Sequence, residues 1–171
     1  MLAARSLGVP VDQAIASIGR FGGVRRRLEL RGTWGEVSLY DDFAHHPTAI
    51  ERTIAGVRRD TPDGRVLVIL EPRSNTMKLG IHTDKLAAAL AVADAVWVFR
   101  PADLGWNPVE VLRSLTRVQV NDDVDSIAAA VVAEAMPGDK IVVMSNGGFG
   151  GIHGLLETRL SARFSDNKIG A

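Results

Sequence analysis

Residues Val66–Leu70 read Val-Leu-Val-Ile-Leu, five apolar side chains in a row with no polar alternation. Such a run suits a strand buried on both faces, and strands of that kind belong to parallel sheets covered by helices. The flanking sequence agrees. Ile50, Ile54 and Val57 share one face of a helix over 47–57, and Pro47 suits its first turn. An alanine-rich helix over 83–92 leads to a strand at Ala95–Phe99, then to a short helix over 108–114 and a short strand over 117–120. Asp122 or Asp123 can cap a helix running to 135, with Val124, Ile127, Val131 and Ala135 turned inward. Pro137-Gly138-Asp139 turns the chain into a strand at Lys140–Met144, and a glycine-rich loop opens a helix over 152–163. Helical stretches between apolar strands imply right-handed crossovers and a mostly parallel sheet.

The front of the chain departs from this rhythm. Val11, Ala14, Ile15 and Ile18 line one face of a short helix over 11–18 that stops at Gly19. Candidate strands over 27–31 and 37–40 flank the connection Gly32-Thr33-Trp34-Gly35-Glu36 and form a hairpin. The expected architecture is therefore a Rossmann-like, three-layer α/β domain. It has a mostly parallel sheet of about six strands, an N-terminal antiparallel hairpin and helices on both faces. Residues 1–20 read as the end of a preceding linker or helix, 21–164 as the domain and 165–171 as a frayed tail.

Composition narrows the function classes. Twenty basic residues balance twenty acidic ones, which excludes a general nucleic-acid binder or a polybasic membrane binder. Cysteine is absent, so disulfides and thiolate metal sites are excluded, in keeping with a reducing cytoplasm. The longest apolar run, 86–93, is far too short to cross a membrane, and residues 1–8 lack the apolar centre of a signal peptide.

Ligands of open parallel sheets gather beyond the carboxyl ends of the strands, so the chemistry is sought there. Asp41-Asp42-Phe43-Ala44-His45-His46-Pro47 follows the second strand and precedes a helix N-terminus, which favours anions. Asp42 can accept hydrogen bonds from ribose hydroxyls, and capping with a structural imidazole explains the same residues. His45 and His46 are adjacent and expected to point apart, which argues against a shared metal ion. Glu71-Pro72-Arg73-Ser74-Asn75-Thr76-Met77-Lys78 is dense in donors: a guanidinium fork and a lysine suit an anionic or zwitterionic small molecule, the alternative being a solvated loop. Ser145-Asn146-Gly147-Gly148-Phe149-Gly150-Gly151 permits close backbone approach, as a ligand contact or a plain strand-to-helix turn. Neither G-x-x-x-x-G-K-[ST] nor G-x-G-x-x-G occurs. The run Arg25-Arg26-Arg27 reads as a solvated face from which one arginine could reach a phosphate, and His82 and His153 as single histidines without a partner.

Four motifs in order carry a resemblance that covers nearly the whole chain. They are Phe21-Gly-Gly-Val-Arg-Arg-Arg27-Leu-Glu29, Tyr40-Asp-Asp42-Phe-Ala-His45-His46-Pro47-Thr48, Glu71 to Lys78, and Met144-Ser-Asn-Gly-Gly-Phe-Gly-Gly-Ile-His153. Together they resemble the C-terminal domain of the Mur ligases. Within that family the nearest likeness is the recycling branch, which joins the murein tripeptide L-Ala-γ-D-Glu-meso-diaminopimelate to UDP-N-acetylmuramate. The alternatives are the branch that adds L-alanine and a non-catalytic module that binds nucleotide or peptide.

The resemblance implies an ATP- and Mg2+-dependent ligase of three domains, working through an acyl phosphate. The phosphate cradle and main magnesium ligands lie in a central ATPase domain on which this one docks. It further implies Arg27 near the ATP phosphate and ribose, Asp42 at the ribose hydroxyls and His45 near nucleotide and reacting centre. Arg73, Ser74, Asn75 and Lys78 would bind the acceptor, Ser145, Asn146 and Gly147 would close its pocket, and no resident metal is implied for this domain.

Overall fold

A computed structural model gives the fold and describes residues 2–20 and 24–165. Phe21-Gly22-Gly23 of the first motif and residues 166–171 of the expected tail lie outside the described residues.

Six strands form one sheet: β1 (Glu29–Trp34), β2 (Val37–Asp42), β3 (Val66–Leu70), β4 (Ala95–Phe99), β5 (Val118–Asn121) and β6 (Lys140–Met144). Their order is β1-β2-β6-β3-β4-β5; β1 and β2 are antiparallel and every other pair is parallel. The helices are α1 (Leu2–Ser6), α2 (Val11–Gly19), α3 (Pro47–Asp60), α4 (Asn75–Lys78), α5 (Thr83–Leu90), α6 (Pro108–Val111), α7 (Val124–Glu134) and α8 (Ile152–Ser165). Alternate residues of β3 serve the two cores. Leu67 and Ile69 pack with Ile127 and Val131 of α7 and Leu156 and Leu160 of α8. Val66, Val68 and Leu70 pack with Ile50 and Ile54 of α3 and Leu86 and Leu90 of α5. Both faces of this strand are therefore dry, which is why its sequence shows no alternation.

Strand β6 inserts between β2 and β3, although the chain builds β3, β4 and β5 first. The strand order reverses there, and the loops after β2, β6 and β3 leave the same edge side by side.

Several boundaries differ from the sequence expectation. The hairpin connection is not five residues but two, Gly35 and Glu36, at φ 49° and 67°. Two successive left-handed residues match the right-handed twist of the strands. Gly32 lies inside β1, where the Trp34 ring crosses it: a Cβ there would sit 2.5 Å from the ring. Strand β2 continues through both aspartates because Asp41 and Asp42 pair with Val143 and Met144 of β6. Helix α4 occupies part of what reads as a polar loop, and the Ser74 hydroxyl caps it by accepting from the Met77 N–H at 3.3 Å. In α2 the apolar face is uncovered, with Val11, Ile15 and Ile18 exposed. No described helix is long and apolar enough to cross a membrane.

Candidate functional site at the carboxyl edge

The three polar segments converge. Ser145 N–H donates to the Asp42 carbonyl at 3.1 Å and Glu71 N–H to the Met144 carbonyl at 3.0 Å, so all three loops start in register. Within the edge, Ser145 is fully buried. Its hydroxyl donates to the Glu71 carboxylate and accepts from Gly147 N–H at 2.9 Å. Glu71 in turn lies 3.8 Å from the Arg73 guanidinium. Gly147 is where the Arg73 arm crosses: a Cβ on Gly147 would fall 2.3 Å from Arg73 Cδ and Nε. Ser145 is therefore turned inward, onto Glu71 and Gly147. Asn146 is half-buried, and its Oδ1 has no hydrogen-bond partner among the described residues.

Asp42 is buried, and both carboxylate oxygens are in use. Oδ2 accepts from Leu28 N–H at 2.7 Å; Oδ1 accepts from Ala44 N–H at 2.8 Å and the Thr53 hydroxyl at 3.3 Å. Arg27, one residue before Leu28, is exposed, with its guanidinium 5.3 Å from the Phe43 ring centroid and no ion pair among the described residues. His45 donates from Nδ1 to the Phe43 carbonyl at 2.9 Å, which leaves its Nε2 without a hydrogen-bond partner among the described residues.

His45 and His46 do not point apart. Their ring centroids are 4.4 Å apart, and His82 meets His46 edge-on at 5.1 Å. Alternation holds along a strand, but the chain is turning into α3 here, with His46 at its N-cap. Partial desolvation and the two neighbouring imidazoles push His46 below the ordinary histidine range.

In the loop after β3 Arg73 is exposed, with a side chain 53% accessible, and Asn75 is exposed at the start of α4. Ser74 is spent on the cap. Lys78 is paired with Asp103 at 2.6 Å, and this pairing holds the exposed Asp103 below the usual carboxylate range. The loop after β4 also braces α4: Trp106 Nε1–H donates to the Met77 carbonyl at 2.6 Å and Gly105 N–H to the Lys78 carbonyl at 2.9 Å. No sequence signal marked that loop.

Two further residues, Arg26 and His153, have a place in the site that the sequence does not signal. Arg26 of the arginine run is only partly exposed and turns inward: its guanidinium donates to Asp41 Oδ2 at 3.0 Å and to the Ser145 and Gly147 carbonyls at 2.7 and 2.8 Å. His153 of α8 places Nε2 3.2 Å from Asp41 Oδ1, though not aligned as a hydrogen bond, so both atoms are buried without one. Burial lowers the His153 pKa, outweighing the upward pull of Asp41.

The edge thus displays two accessible guanidiniums, Arg27 and Arg73, on a buried polar scaffold, which suits anionic groups of a ligand. Asp42 is turned to the backbone and Thr53, with two donors on Oδ1 and one on Oδ2. Among the described residues no group of three or more His, Asp or Glu is placed to hold a metal ion.

A six-stranded, mostly parallel α/β domain with a switch-point edge of this kind belongs to the doubly wound, Rossmann-like class, whose ligands gather at that edge. The chain is a member of the Mur ligase family: the model of the Mur ligase glutamate ligase domain matches residues 26–147. It is 50% identical over 153 residues to the UDP-N-acetylmuramate–L-alanyl-gamma-D-glutamyl-meso-2,6-diaminoheptandioate ligase of Escherichia coli, covering 88% of this chain and 34% of that one. It is 36% identical over 157 residues to the UDP-N-acetylmuramate–L-alanine ligase of Mycobacterium ulcerans, covering 86% and 32%. Among solved structures, the murein peptide ligase of Psychrobacter arcticus superposes with a TM-score of 0.73 at 42% identity, covering 99% of this chain and 36% of that one. The chain spans about a third of the length of the curated relatives it matches.

Proposed function

We propose that this chain is the closing domain of an ATP-dependent peptide ligase that joins L-Ala-γ-D-Glu-meso-diaminopimelate to UDP-N-acetylmuramate in peptidoglycan recycling. The observation that carries the reading is the convergence of the β2, β3 and β6 loops on one edge, with Arg27 and Arg73 both presented there. ATP would supply the phosphoryl group that activates the muramyl carboxylate for attack by the acceptor amine, with Mg2+ held mainly by the central domain. This chain's part is positioning and charge neutralisation. Arg27 would meet the nucleotide phosphates, and His45, with Nε2 free, would stand beside the reacting centre. Arg73 would clamp a carboxylate of the zwitterionic diaminopimelate end, with Asn75 and Lys78 beside it and the glycine loop closing over it. Asp42 would reach the ribose hydroxyls with the acceptor capacity its backbone bonds leave.

The domain would swing onto the central ATPase domain of the same parent chain, in the cytoplasm, to complete the site. The uncovered apolar face of α2 supports reading residues 1–20 as the end of a preceding linker or helix and 21–164 as the closing domain. The higher identity to the tripeptide ligase than to the L-alanine ligase favours the tripeptide as acceptor. An assay of the full-length parent with ATP, magnesium, UDP-N-acetylmuramate and both acceptors decides the matter. Formation of UDP-muramyl-tripeptide supports the reading, and a preference for free L-alanine overturns the acceptor assignment.

A further inference from the structure

Arg26 makes none of the substrate contacts proposed above, yet it joins the two ends of the site. We infer that Arg26 is a positioning residue that couples the nucleotide end of the edge to the acceptor end; the inference rests on the ligase reading.

The main chain of Arg26 belongs to the nucleotide end. Its N–H donates to Glu29 Oε2 at 2.8 Å and its carbonyl accepts from Phe43 N–H at 2.9 Å. It holds a left-handed φ of 57°, and Leu28 holds one of 49°. Non-glycine residues stay in that region only where their surroundings fix them. Arg27 lies between these two pinned residues, with Leu28 tied to Asp42, so the segment sets where its side chain starts and the Phe43 ring is its one side-chain contact among the described residues.

The side chain of Arg26 belongs to the other end. Nη2 donates to the Ser145 and Gly147 carbonyls, which fixes the first turn of the glycine loop, while Nε holds Asp41. Gly147 abuts the Arg73 arm, and Ser145 reaches Glu71, whose carboxylate lies beside the Arg73 guanidinium. A shift of the loop therefore moves Arg73. Asp41, held by Arg26 on one oxygen and faced by His153 on the other, anchors the fork to β2. One planar group with donors in fixed directions can serve a carboxylate and two carbonyls at once, whereas an ammonium cannot reproduce that fork.

The test uses Arg26→Gln and Arg26→Lys in the full-length ligase, with KM for ATP and for tripeptide measured in wild-type, Arg27→Ala and Arg73→Ala backgrounds. Loss of charged hydrogen bonds predicts that Arg26→Gln raises both KM values roughly tenfold or more, with Arg26→Lys between it and wild type. In the Arg73→Ala background the effect on tripeptide KM should vanish while the effect on ATP KM persists; in Arg27→Ala the pattern reverses. A residue with a purely structural role would lower the melting temperature and leave both KM values of the folded enzyme alone, or multiply equally in every background, and either result overturns the inference. If the wild-type parent makes no ligase product, the functional reading fails instead. Hydrogen exchange on the 171-residue chain then decides Arg26 by itself: Arg26→Gln should speed exchange at residues 26–28 and 145–148 together, and unchanged rates at 145–148 refute the coupling.

Discussion

Gly147→Ala separates folding from acceptor binding more cleanly than any truncation in the site. The added methyl would lie 2.3 Å from Arg73 Cδ and Nε and 2.7 Å from Cζ, where ordinary contact begins near 3.4 Å. The Arg73 arm must retreat by about 1 Å to restore that contact. It can do so at small cost to folding, because the side chain is about half exposed and Gly147 is not in the left-handed region. Stability should therefore change by less than about 1 kcal/mol. The displaced fork, however, leaves hydrogen-bond range of a carboxylate placed for the wild-type arm. A bond to a charged group is worth about 1.5–3 kcal/mol, so kcat/KM for tripeptide should fall roughly 10- to 100-fold. KM for ATP should stay within about twofold, since Arg27 is untouched. Steady-state kinetics of the full-length parent against each substrate, with thermal melts of both proteins, form the assay. Equal losses for ATP and tripeptide, or unchanged tripeptide kinetics, would refute the placement of Arg73 at the acceptor.

Three other outcomes follow from the same geometry. Asp42→Ala strips the partner from two backbone N–H groups, those of Leu28 and Ala44, each worth about 1–3 kcal/mol; urea melts of the 171-residue chain should show a loss of roughly 2–5 kcal/mol, besides a raised ATP KM in the full enzyme. His153 is held neutral by burial, so the folded state binds fewer protons than the unfolded one as pH drops through the ordinary imidazole range near about 6.5. Stability is thus present above that range and lost below it, and His153→Gln should flatten the acid-side fall in melting temperature between about pH 7.5 and pH 5.5. Calorimetry on the isolated chain should detect no tight binding of ATP or tripeptide and no turnover, because the chain supplies only one side of the proposed site; tight binding would favour a free-standing binding module instead.

The strands and long helices were legible because their burial pattern repeats locally: β3, β4 and β6 match their expected spans, and α3 shows its apolar stripe at Ile50, Ile54 and Val57. Helix α4 was not legible, since four residues carry no periodicity and its cap, Ser74, also reads as a ligand donor. The hairpin turn was overestimated because Gly32, read as a turn residue, instead makes room for the Trp34 ring. In the site, the three loops could be foreseen from strand ends alone. Which arginine of Arg25-Arg26-Arg27 faces inward could not, because the deciding partners, Asp41, Ser145 and Gly147, are brought there by strand order rather than by sequence spacing. The same holds for His153, whose partner Asp41 lies on the second strand, and for the loop carrying Asp103 and Trp106, which earns its place only by bracing α4.

The central claim is that this domain turns its carboxyl edge toward a nucleotide held by another part of the parent chain. A structure of the full-length parent with a non-hydrolysable ATP analogue, UDP-N-acetylmuramate and tripeptide measures this directly. The account predicts Arg27 within about 3 Å of a phosphate oxygen and Arg73 within about 3 Å of an acceptor carboxylate. A closed complex in which residues 116–119 and 134–139 of the opposite edge face the ligands, with both arginines beyond hydrogen-bond reach, would contradict it.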